Sequence, residues 1–161
     1  MLRSIRLREG RSGLDVRIDL FDDLAPRNAE LLWQISCVNR THEAIHAMWT
    51  GPEISCPIFG DALPDLGTPL DIPLENGTSY PAAGDIATVF ACRGTWKGMP
   101  PSNFFDIGLF YGSGARLLMP MGWIMGSVCA RVAPDDLVAF QQGCQAIRRQ
   151  GACMLAFSRN V

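Results

Sequence analysis

His42-Glu43-Ala44-Ile45-His46 is the stretch of this chain whose residue types and spacing come nearest to a recognised chemistry. On a helix, histidines four apart point the same way and can share a Zn2+ while the glutamate between them acts on the bound water. The surroundings weigh against that use. The chain holds 2 histidines, so an acid such as Glu53 or Glu75 would have to be the third ligand, and Trp49-Thr50-Gly51-Pro52 leaves little helix beyond His46. On a strand His42 and His46 would share a face yet stand about 13 Å apart at roughly 3.3 Å per residue, too far for one ion. We therefore expect no metal and no cofactor, and keep a zinc hydrolase through His42, Glu43 and His46 as a minor alternative.

A second group is less patterned and chemically broader. His46, Trp49, Glu75, Arg93, Trp96, Lys97 and Tyr111 are the candidates for a small-molecule site. Arg93 and Lys97 beside aromatic rings would suit a carboxylate or another planar anion through charge-assisted bonds and stacking. Taken singly, each has a plainer reading: Trp49 and Tyr111 as core or interface aromatics, Arg93 and Lys97 as solvated loop charges. His46 could serve as a general acid or base, because its reference pKa of about 6.5 lies near working pH. A cysteine nucleophile would have to be Cys56 or Cys92 beside a histidine, but the 6 cysteines are scattered with no CxxC pair. Reduced, mostly buried thiols are the expectation.

The elements that must carry these residues centre on Gly84 to Gly112. Ile86 to Ala91 and Phe105 to Tyr111 are apolar runs of strand length, joined by a loop that holds Arg93, Trp96, Lys97 and two prolines. Before them, Ser4 to Arg8 and Asp15 to Leu20 alternate apolar and polar residues across a Gly-rich turn and predict an antiparallel hairpin. Asp22 or Asp23 can cap a helix that begins near Ala25-Pro26 and buries Leu31, Leu32 and Ile35. Asn39 to Thr50 reads equally as helix or strand; Ile54 to Ile58 is a short strand. Phe59 to Ala83 is Pro-rich and aperiodic, a surface excursion of the kind that carries function or an oligomer contact.

Leu117 to Val132 is a further apolar stretch, with Ile124 to Val132 its best strand. In it the Met- and Trp-rich Leu118 to Trp123 reads as a contact surface of an oligomer, and equally, because Met119, Met121 and Trp123 alternate, as one buried strand face. Pro134-Asp135-Asp136 starts a second helix with Leu137, Phe140, Cys144 and Ile147 on one face, ended by Gly151. Ala152 to Phe157 is the last strand.

Composition bounds the rest. A chain of 161 residues fits one domain, 1–161, with a single core. A net charge of -2 gives no footprint for nucleic acid or an anionic membrane. The start has no apolar leader, and no run approaches the roughly 18 to 20 apolar residues of a membrane span. A cytoplasmic protein is expected. Hydrophobic residues at 48% exceed what one core needs and point to a homo-oligomer.

About eight strands with a helix after the second and another before the last, together with the helix entry LFDDLAPRNAELL, resemble the cyclophilin fold. Trp49-Thr50-Gly51, Glu75-Asn76, Gly84-Asp85, Tyr111-Gly112 and the strand at Gly126 are closer to the bacterial cyclophilin-like proteins of domain-of-unknown-function family 3830. The resemblance implies a mainly β protein: a closed barrel with two capping helices, near 25–36 and 135–149, oligomeric, and with no established reaction. Cyclophilins that isomerise proline use an arginine and a motif ending Gln-Gly-Gly-Asp. The corresponding strand here, HEAIHAMWT, has no arginine, and that motif is absent, so prolyl isomerase is a minor alternative. The leading expectation is a small molecule, an anion among the candidates, bound in a pocket on the barrel surface, with enzyme and binder both left open. The main alternative is a non-catalytic oligomeric accessory protein.

Overall fold

The computed structural model describes residues 2–65, 71–98 and 101–160. The alternating N-terminal segments form the hairpin β1 (Ser4–Glu9) and β2 (Leu14–Leu20), and α1 (Pro26–Ile35) follows. Next come β3 (Thr41–His46), β4 (Glu53–Phe59), the short β5 (Gly77–Thr78), β6 (Asp85–Ala91) and β7 (Phe104–Phe110). A small hairpin, β8 (Leu118–Met119) and β9 (Gly122–Trp123), precedes β10 (Gly126–Val132), α2 (Leu137–Gln150) and β11 (Cys153–Arg159).

The strands pair antiparallel in the order β2-β1-β11-β3-β4-β7-β6-β10, and β10 pairs back onto β2 through Ala130 with Leu20 and Val132 with Ile18. That last pairing closes an eight-stranded barrel and removes its edges. Strand alternation fills the interior. Leu7, Val16, Ile18, Ile54, Ile107, Leu109 and Leu155 are all fully buried in one cluster.

β10 carries a register shift between Val128 and Ala130. Cys129 and Ala130 belong to the inner core, while Val128 joins a second apolar cluster with Ala87, Phe110, Ala115 and Leu117. This second cluster pins the segment between β7 and β10 against the outside of the barrel.

Several local expectations change. Asn39 to Thr50 contains a strand, because Thr41–His46 pairs with β11 on one side and β4 on the other. Neither Asp22 nor Asp23 caps α1. Its N-cap residue is Ala25, with no side-chain cap of its own, and Asp22 instead pairs with Arg3 at 2.5 Å. Met119, Met121 and Trp123 do not share a buried strand face: the chain turns at 120–121 to pair β8 with β9, leaving Trp123 and Met121 exposed.

The Pro-rich excursion is only partly a surface loop. Part of it, residues 66–70, lies outside the described residues. Its second half is stitched to the barrel by β5 on β10 and by Asn76, whose Nδ2 donates to the Val128 carbonyl at 2.9 Å.

Candidate functional site

The same alternation that sends Ile54, Cys56 and Ile58 inward turns Glu53, Ser55 and Pro57 outward on β4. Their partners on β7 are Phe110, Gly108 and Asp106, and Ala87 and Val89 of β6 extend the same floor. Walls rise on three sides of it. They are Trp49 after β3, the β8–β9 hairpin with Met119 and Met121, and Trp96 packed on Phe104 with ring centroids 5.7 Å apart. The result is an open, mostly apolar groove of about 300 Å³ on the outside of the barrel.

Two acids converge on this floor. Glu53 is only 5% exposed; its Oε2 accepts from the Thr50 hydroxyl, while Oε1 lies over Gly108. Asp106 turns toward the same place and accepts from the Ser55 hydroxyl at 2.9 Å. The residue Asp106 is half-buried, but its carboxyl sits below the surface. Burial raises the pKa of both, strongly opposing ionisation. The charge of Asp106 adds to the effect at Glu53, where the Thr50 hydrogen bond opposes it. Ser55 and the Cys56 N–H partly offset burial at Asp106. The groove therefore contains a proton-retaining carboxyl pair, a group able to give or take a proton near neutrality.

His46 stands at the edge of the same groove. Its Nδ1 lies 2.9 Å from the Ala47 carbonyl, which can only accept, so Nδ1 carries the proton. Nε2 then accepts from the Tyr111 hydroxyl at 2.7 Å. Burial lowers the pKa of His46 and keeps it neutral; the Ala47 bond opposes this and the nearby Arg148 reinforces it.

Of the residues singled out in the sequence, His46, Trp49 and Trp96 line the groove, and Tyr111 supports His46 from behind. The others lie elsewhere. Arg93 and Lys97 are exposed and not part of the lining; the Arg93 N–H donates to Asn103 at 2.9 Å. Glu75 accepts from the Arg27 N–H, the Asn28 N–H and Asn28 Nδ2, and so caps α1.

Sequence reasoning missed the acid pair. Glu53 entered only as a third metal ligand, and Asp106 was not singled out within the apolar run Phe105 to Tyr111. The available signal was a lone acid at an outward position of FFDIGLF.

His42-Glu43-x-x-His46 lies on a strand, and its two histidines serve separate places: His46 the groove, His42 a small cavity beside Ile35 and Leu63. Among the described residues no three His, Cys, Asp or Glu side chains are grouped as metal ligands. Cys56 faces the core, and burial pushes its thiol well up, away from the reactive thiolate. Cys129 is pushed up to about 12 by burial. Among the described residues no helix is long and apolar enough to cross a membrane.

The acid pair has a measurable consequence for stability. A carboxyl whose pKa is raised by folding contributes stability that is fully present below its unfolded value and is lost as pH rises through the folded one. For Glu53 the loss begins above 4.5. Glu53→Gln keeps the shape without the titration, so its Tm should exceed that of the parent at pH 9 by a few degrees, at about 2–4 °C per kcal/mol, and the excess should shrink at pH 5. Parallel Tm curves for the two proteins across that range would exclude a raised Glu53 pKa.

A closed eight-stranded barrel with a helix after its second strand and another before its last is a cyclophilin-like barrel. Within that class the chain belongs to the family described as protein of unknown function (DUF3830), which it matches over residues 9–159. No curated protein matches it.

Among solved structures it is similar to McbB, determined in complex with tryptophan, at 17% identity and a TM-score of 0.57 over 97% of this chain and 44% of McbB. The chain thus spans less than half the length of McbB. The hypothetical protein AF2241 from Archaeoglobus fulgidus is similar at 15% identity and a TM-score of 0.52, over 99% of this chain and 95% of that one. The Mimivirus cyclophilin is similar at 11% identity and a TM-score of 0.54, over 99% and 89%. Likeness at these identities concerns the fold.

Proposed function

We propose that this barrel binds a small organic molecule in the groove over β4, β7 and β6. The observation that carries the reading is the groove itself: a mostly apolar concavity of about 300 Å³ into which a few polar groups, Glu53, Asp106 and His46, converge. Small-molecule sites have this composition, with apolar walls for affinity and a few polar groups for orientation. The anionic ligand expected from Arg93 and Lys97 has little support here, because neither side chain lines the groove.

A fragment screen followed by amide NMR shifts tests the reading. Binders should perturb β4 and β7, and Val89→Trp, which fills the floor, should weaken them about tenfold or more, whereas Glu43→Ala on the exposed side of β3 should not. The reading falls if the binders hold to the Trp variant as tightly as to the parent, or if no fragment perturbs the groove.

A further inference from the structure

The chemistry of the groove floor narrows what it can hold. Resting on the groove as a binding site, we propose that its occupant is an organic cation, a primary ammonium on an aromatic body, with the charged nitrogen over Gly108 between Glu53 and Asp106.

The first support is geometric. Glu53 and Asp106 start from opposite sides of the Ser55–Gly108 pair and both turn toward it, Glu53 through Oε1 over Gly108 and Asp106 through its bond to Ser55. Two carboxyls aimed at one spot offer several acceptor lone pairs to a group that has only donors, and an ammonium is such a group.

The second support is charge complementarity. The ionisable groups that line the groove are His46 from β3, Glu53 from β4 and Asp106 from β7; β6 contributes Ala87 and Val89, the hairpin side Leu117, Met119, Met121 and Ile124, and the loop after β6 Trp96. Among the described residues no lysine or arginine lines it. Arg148, the cation felt at His46 and Tyr111, is not among the groups that act on either acid, where a cation would lower the pKa. Cys56 lies behind the floor on the inner face. Negative charge formed on the pair therefore has no protein counter-ion in the groove, and a buried unpaired carboxylate is costly. A ligand cation supplies that counter-charge, while an anion would be repelled by the ionised pair.

The third support is the wall. Trp49, Trp96, Phe59, Phe104 and Phe110 all reach the groove. Ring faces attract both an aromatic body and the cation attached to it.

Three probes of matched size distinguish the outcomes: 2-phenylethylamine, 2-phenylethanol and 3-phenylpropanoate, titrated by calorimetry and followed by amide shifts. At pH 8 the amine should bind about tenfold or more tighter than the alcohol, and the carboxylate least. That preference should fall toward pH 5 as the pair takes up protons, and Glu53→Gln or Asp106→Asn should each reduce it about tenfold. If one variant does not fold, the other carries the test. Alcohol binding in the groove with no preference for the amine, or a preference that survives both substitutions, overturns the cation while leaving the groove as a site. Silence from all three probes in a folded parent chain overturns the aromatic ammonium, and the fragment screen then decides the groove itself.

Discussion

Gly108→Ala should cost on the order of 1–3 kcal/mol and lower the Tm by about 2–4 °C for each. A Cβ built there lies 2.5 Å from Glu53 Oε1, 2.7 Å from the Phe110 ring and 3.0 Å from the Ala87 carbonyl. The backbone of Gly108 is an ordinary strand, so the requirement for glycine comes from neighbours and not from dihedral strain. Of the three neighbours only the Glu53 carboxyl ends a flexible side chain. Ala87 contributes ladder backbone, and Phe110 is buried at 1% exposure.

The carboxyl must therefore move, and with it the groove floor. Removing it should relieve part of the strain: Gly108→Ala combined with Glu53→Ala should be more stable than the sum of the two single losses, by about 0.5 kcal/mol or more for residues in contact. Thermal denaturation of the four proteins measures this. An unchanged Tm for Gly108→Ala would show that the floor has room that the geometry denies.

Glu75→Ala should be the most damaging single substitution outside the core, at about 2–4 kcal/mol. The helix α1 begins with Ala25 at the cap position and Pro26 next, so it has no capping side chain of its own. Glu75 replaces it from far along the chain, accepting from the Arg27 N–H at 3.0 Å, the Asn28 N–H at 3.0 Å and Asn28 Nδ2 at 2.8 Å. A carboxylate at a helix N-terminus also meets the positive end of the helix dipole. The consequences extend inward: Asn28 is 1% exposed, and its Oδ1 accepts from the buried Thr88 hydroxyl at 2.8 Å.

Glu75→Gln retains one acceptor oxygen and should lose less. Denaturant unfolding followed at the helical CD band gives both values. Glu75 lies outside the groove lining, so the folded fraction of either variant should bind groove ligands normally. Weakened ligand binding at unchanged stability would return Glu75 to the ligand-contact role first considered for it.

These two residues show how far the sequence could be read. Segments whose structure follows from local periodicity were legible: the hairpin from Leu7, Val16 and Ile18, the second helix from Phe140, Cys144 and Ile147, and the strand FFDIGLF. The ambiguous segment around His42 and His46 was not, because its helical and extended patterns are equally good until β11 and β4 pair with it. Glu75 beside Asn76 marked a feature of the family, but its role as a cap becomes visible only when the chain brings it against Arg27 and Asn28.

By itself, then, the sequence determined the inward and outward positions of its regularly patterned segments, the order of most elements and the cyclophilin-like class. A strand's period of two and a helix's recurrence at three and four are properties of the backbone, written locally in the order of apolar residues. Only the tertiary structure decided which outward positions meet. The register of β4 on β7 sets Ser55 opposite Gly108, and Glu53 and Asp106 become a pair because each leans from its own strand toward that point. Register depends on turns, pairing partners and closure of the whole barrel, so no local pattern could place two acids from separate strands side by side.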